Sequence, residues 1–97
     1  MQIIENWADV CGLVTGVRPS AARTNWVVID VLVDSIADVQ SHRNLLRTQF
    51  GPTAIEAPAR VAAAAGVRER VRLCCWAARR TPELIIAHPD HITVQIR

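Results

Sequence analysis

The chain has 97 residues, 51% of them hydrophobic and 21% charged, with a formal net charge of +2. That length supports one domain (1–97) around a single core, and the composition excludes a disordered or low-complexity chain. No apolar run reaches the length of a membrane span and no signal-peptide pattern heads the sequence, so a soluble, cytoplasmic protein is expected.

The charge is unevenly distributed. All eleven basic residues are arginine, a side chain whose planar fork suits phosphates and stacks on rings. Residues 1–57 hold four arginines against six acids (−2), whereas 58–97 hold seven against three (+4). A basic second half points modestly to a polyanion. Cys11, Cys74 and Cys75 show neither CxxC spacing nor a histidine at metal-ligand intervals. They read as small residues in a reduced cytoplasm, and no metal or cofactor is expected.

In chain order, "WADVCGLVTGVRP" (7–19) is an apolar strand whose glycines mark bulges or sharp coiling. After the turn "ARTN", "NWVVIDVLVD" (25–34) gives the clearest strand signal. Val27, Ile29, Val31 and Val33 take one face, while Trp26, Val28, Asp30, Leu32 and Asp34 take the other. Residues 35–49 read as a polar excursion with one or two helical turns, because Ser35 and Asp38 resemble a capping box. "FGPTAIEA" (50–57) is a short strand, and "PARVAAAAG" (58–66) is a short helix between a proline start and a glycine stop.

The stretch 67–80 reads as a two-faced strand. Val71, Leu73, Cys75 and Ala77 point inward; Arg70, Arg72, Cys74, Trp76, Ala78 and Arg80 point outward. A tight "TPE" turn follows, and a last strand is interrupted at Pro89-Asp90. Five strands with one helix between the third and fourth predict an all-β fold with a short helix, the five-stranded OB barrel. Closure would leave so short a chain without exposed strand edges. The alternative is a small α+β sandwich in which 35–49 form a full helix.

At this point the sequence resembles the bacterial single-stranded-DNA-binding protein family, including its compact PriB-type primosomal members. "VCGLVTGVRP", "NWVVIDVLV", "AIEAPARVAAAAGVRERVRLCCWAARR" and "ELIIAHPDHITVQ" stand where that family places its strands and helix. Two departures go with this: the turn at Thr81-Pro82 is too short for a long nucleic-acid-binding hairpin, and no acidic tail follows the barrel. The resemblance implies single-stranded DNA binding in replication, repair or recombination, with proteins of those pathways as partners. It also implies assembly through first strands.

Single-strand binders combine aromatic platforms with a basic groove. Trp76 with Arg70, Arg72, Arg79 and Arg80 fits that chemistry, and Trp26 offers a second platform. Arg43, Arg47 and Phe50 flank the excursion, where relatives touch nucleic acid. Burial at an interface is the competing role for Trp26 and Trp76, and Trp7 is read as buried. Asp30 and Asp34, on the face of Trp26, oppose a phosphate track there. His42, His88 and His91 look scattered, no nucleophile–base pattern is recognisable, and a non-enzymatic protein is expected. The expected function is therefore binding of single-stranded DNA or RNA; the alternative is an OB-fold protein–protein adaptor. A homodimer or tetramer through residues 8–17 is expected, because the apolar side chains of the first strand cannot all point inward.

Overall fold

The computed structural model describes residues 6–95. Five strands, β1 (Ala8–Pro19), β2 (Trp26–Asp38), β3 (Gly51–Pro58), β4 (Arg72–Thr81) and β5 (Leu84–Gln95), close into a barrel in the order β1-β2-β3-β5-β4. One helix, α1 (Ala59–Ala65), lies between β3 and β4. All neighbours are antiparallel except β3 and β5, which meet in parallel at Glu56 and Ile86. This is OB-fold topology.

Alternation builds the core. Val10, Val14, Ile29, Val31, Val33, Ile55, Leu73, Cys75, Ala77, Ile85 and Ala87 are all buried within one cluster. Long strands around so small a core must coil, and β1 does so through register shifts at Cys11/Gly12 and Val14/Gly16. Gly12 is the tightest point: a Cβ there would lie 2.2 Å from the Leu32 carbonyl oxygen of β2. Pro58 opens α1 and Gly66, at φ 80°, ends it. The N–H of Gly66 donates to Ala63 and that of Val67 to Ala62, a closing motif that needs the left-handed residue.

Several expectations are corrected. Residues 35–38 are not a helix start, because β2 continues through them and pairs Ser35–Asp38 with Cys11–Ala8. Pairing with the first half of β1 satisfies backbone groups that a local capping box would leave outside the sheet. The rest of the excursion, 39–49, is irregular, as is Phe50, expected to open the next strand. This 39–50 segment holds Leu46, 2% exposed, as part of the core. With no helix there, the α+β sandwich is not formed. The strand expected from 67 begins only at Arg72. Arg70 takes φ 72° and donates its N–H to the Val14 carbonyl, so it stands at the entry to β4 and not within it. Ala78, expected outward, is fully buried.

Candidate nucleic-acid interface

The outward faces of β1, β4 and β5 form three rows. Leu13, Arg72 and Gln95 make the first, Cys11, Cys74 and Thr93 the second. The third starts with Asp9 beside Trp76, and there the ladder opens. Cys75 pairs with Ile92 and Ala77 with Ala87, so Trp76 faces a bulge made of residues 88–91. Proline cannot donate to a ladder, and Pro89 sits within this bulge.

The bulge turns two histidines onto the tryptophan. The His91 ring lies parallel to Trp76 at 3.6 Å and 6°, and His88 meets it edge-on at 5.7 Å. From the 39–50 segment, His42 approaches Trp76 edge-on at 5.8 Å. Trp7, 7% exposed, meets His88 at 4.7 Å, and its backbone N–H donates to His42 Nδ1. The Asp90 N–H donates to His88 Nδ1 at 3.1 Å. Five rings from four chain segments thus form one cluster, in which three histidines meet the half-buried, outward Trp76.

Arginines border this cluster. The Arg80 guanidinium sits 4.8 Å from the Trp7 ring and donates to Asn6. Arg79 donates to the Pro82 carbonyl and to Gln49 Oε1, tying the last turn to the 39–50 segment. Arg43 and Arg47 are exposed on that segment, as is Phe50 at its end, 55% exposed. Neither Arg43 nor Arg47 has an ion-pair partner among the described residues.

The remaining residues expected at the site lie elsewhere. Arg72 is outward on the same face but holds Asp34 through two hydrogen bonds of 2.6 and 2.8 Å. That bond keeps the Asp34 carboxyl below its ordinary range and commits the Arg72 charge. Arg70 is exposed and borders a shallow groove with Leu13, Asp34 and Arg72. Trp26 pairs with Pro58 at the opposite end of β2 from Ala37, whose β1 partner Asp9 lies beside Trp76. Trp26 instead carries the Arg23 guanidinium over its ring at 3.9 Å. Asp30, the other acid expected to repel phosphate, is paired with Arg18 at 3.2 Å.

The cysteine reading is overturned as well. Cys11 and Cys74 stand directly opposite on β1 and β4 and are joined as a disulfide, with Cα atoms 4.1 Å apart. Adjacent cysteines on a strand face opposite ways, so Cys75 points into the core while Cys74 bridges outside. Burial pushes the Cys75 thiol up to about 12, which makes it inert. The bridge escaped sequence reading because it depends on the β1–β4 register. The histidine cluster depends on a bulge in β5 and on the distant 39–50 segment, and the "HPDH" break in a strand is its visible trace.

Among the described residues no group of three His, Cys, Asp or Glu is placed to hold a metal ion, and no helix is long and apolar enough to cross a membrane. Compared with protein-family models, curated proteins and solved structures, the chain matches none.

Proposed function

We propose that the protein is a non-enzymatic binder of single-stranded nucleic acid, DNA in the first place, and that Trp76 is its stacking platform. The observation that carries this reading is the His91 ring lying flat on Trp76 at 3.6 Å. A planar heterocycle parallel to an outward tryptophan is the geometry a base adopts on such a platform. His91 is exposed on a bulge, so a base can take its place or extend the stack. Arg80 lies against the Trp7 ring of the cluster, Arg43 follows His42 in the chain, and Arg47 and Arg79 stand on or against the same 39–50 segment. In this reading they supply the positive charge for phosphates. Arg70, Arg72 and Trp26 do not join this cluster.

Fluorescence or anisotropy titration with oligothymidine tests the reading. Stacking contributes about 1–3 kcal/mol per base. Trp76→Ala, measured where it remains folded, is therefore expected to weaken binding about tenfold or more. Replacing Arg43 and Arg47 together is expected to flatten the log–log salt slope by about 1.4, at about 0.7 per phosphate contact. Unchanged affinity in a folded Trp76→Ala protein removes Trp76 from the interface.

A role in replication, repair or recombination, similar to the bacterial single-stranded-DNA-binding and PriB-type proteins, belongs to the same proposal. So does a homodimer or tetramer through residues 8–17. Leu13 and Leu32, directly opposite on β1 and β2, are 42% and 41% exposed and favour such a contact. Residues 8–13 already have strand partners on both sides, so the contact falls to their outward side chains and to the free edge beyond Val14. The same apolar pair favours the second reading, an adaptor that docks another protein. A monomer by light scattering at high micromolar concentration defeats the assembly proposal.

A further inference from the structure

The turn at 20–25 and the start of α1 enclose a groove of about 740 Å³ at the end of the barrel away from Trp76. Its walls include Asn25, Trp26, Pro58, Arg60 and Val61. Both walls are fixed. The Ala59 N–H donates to the Asn25 carbonyl at 2.8 Å, which stitches the turn to the helix. Asn25 holds φ 65°, and the Ser20 hydroxyl accepts the N–H groups of Ala22 and Arg23. The same hydroxyl donates to Glu56, which also pairs with Arg23 at 3.8 Å. That pairing holds the Arg23 guanidinium on Trp26.

The charges do not cancel. Glu56 is matched by Arg23, no acid lines the groove, and Arg60 is exposed without an ion pair among the described residues. The groove therefore offers a rigid indole wall, two apolar side chains and one uncommitted cation. A flat ring carrying a single anionic group satisfies all three. A carboxylate-bearing peptide satisfies the cation alone and leaves the indole without a flat partner.

We infer that this groove is a second nucleotide position, with a base against Trp26 and its phosphate at Arg60. It rests on the single-strand reading and adds to it: one chain then holds a strand at both ends of its barrel. The volume suits a small planar ligand, and fixed walls lower the ordering cost of binding.

The Trp7→Phe/Trp76→Phe protein leaves Trp26 as the one fluorophore. Adding 5′-phosphorylated oligothymidine is expected to change its emission, and Arg60→Ala to raise the required concentration about tenfold. If the double variant does not fold, the Trp26 indole N–H resonance of the full chain, assigned with Trp26→Phe, gives the same readout with and without Arg60→Ala. A silent Trp26 under saturating oligothymidine, or a response indifferent to Arg60, overturns the inference. So does a polyglutamate peptide that produces the larger change, which assigns the groove to acidic protein. Oligothymidine binding that needs Trp76 while Trp26 stays silent defeats the groove alone. A Trp26 response with no effect of Trp76→Ala defeats the Trp76 assignment and leaves the groove standing.

Discussion

Trp26 and Trp76 both sit half-buried on outward strand positions, yet their surroundings differ in kind. Trp76 lies beside the β1–β4 seam, where a bulge in β5 and the 39–50 segment bring three histidines against it. Trp26 lies at a turn, covered by one guanidinium whose position is fixed by Glu56. Ring-on-ring packing ties Trp76 on β4 to β5 and to the 39–50 segment, so its surroundings depend on how distant parts of the chain meet. The Trp26 stack is local to one turn and one helix end. An outward tryptophan is thus either a structural hub or a side-chain shelf, and its neighbours decide which.

The largest test of this contrast is the seam itself. The disulfide spans 63 residues of sequence, and closing a loop of that size restricts the unfolded chain by about 4 kcal/mol. Reduction, or Cys11→Ser with Cys74→Ser, is expected to lower unfolding stability in denaturant by about that amount. It should disturb the emission of Trp76 before that of Trp26. An equal response of both indoles breaks the distinction. In the reduced but folded protein two cysteines should alkylate and Cys75 should not, because it is buried in the core and that burial pushes its thiol up to about 12. Intact mass spectrometry counts the adducts.

Next in size are the tryptophans. Trp76→Ala removes contacts with several rings and is expected to cost about 2–3 kcal/mol, below the range for a fully buried tryptophan. Trp26→Ala removes one cation–π contact on a turn and should cost about 1 kcal/mol. Equal losses by thermal or urea unfolding would place the two residues in one class.

The smallest effect concerns the salt bridge on the Trp76 face. Arg72 lowers the folded-state pKa of Asp34. Its contribution is therefore full above the ordinary carboxylate range and fades as pH falls through the lowered value. The stability difference between the wild type and Asp34→Asn should shrink with acidification. At pH 7 it should be slight, as exposed pairs contribute little. A difference that grows toward low pH reverses the sign and removes the Arg72 bond from solution.

Much of the barrel was legible where local and global preferences agree. Residues 29–34 alternate as a half-buried strand should, although Val28, expected outward, is buried, and Pro58 and Gly66 bracket the helix that forms. Val71, Leu73, Cys75 and Ala77 are inward as their period-two spacing requires. Reading failed where sheet pairing overrode a local signal. Ser35 and Asp38 resemble a cap, but β1 needs them as a strand partner. Arg70 adopts a left-handed conformation that nothing in "GVRER" after its glycine announces. At the site, Trp76 was visible as an outward aromatic among arginines. His42, His88 and His91 were not visible as its neighbours, because a bulge and a distant segment bring them there. Arg72 looked free because its partner Asp34 lies two strands away in sequence.

The Cys11–Cys74 bridge has a topological consequence. Between those two residues the backbone and the sulfur link form a covalent ring that contains β2, β3 and α1. Arg43 and Arg47 are exposed on an irregular segment inside that ring, the kind of site where proteases cut. Trypsin acting after Arg43 creates a new pair of chain ends without releasing a fragment, since Cys11 stays on one piece and Cys74 on the other. The nicked protein should migrate as a single band without reductant and as two with it. It would be a two-chain barrel whose new ends lie beside Trp76, made without altering the gene.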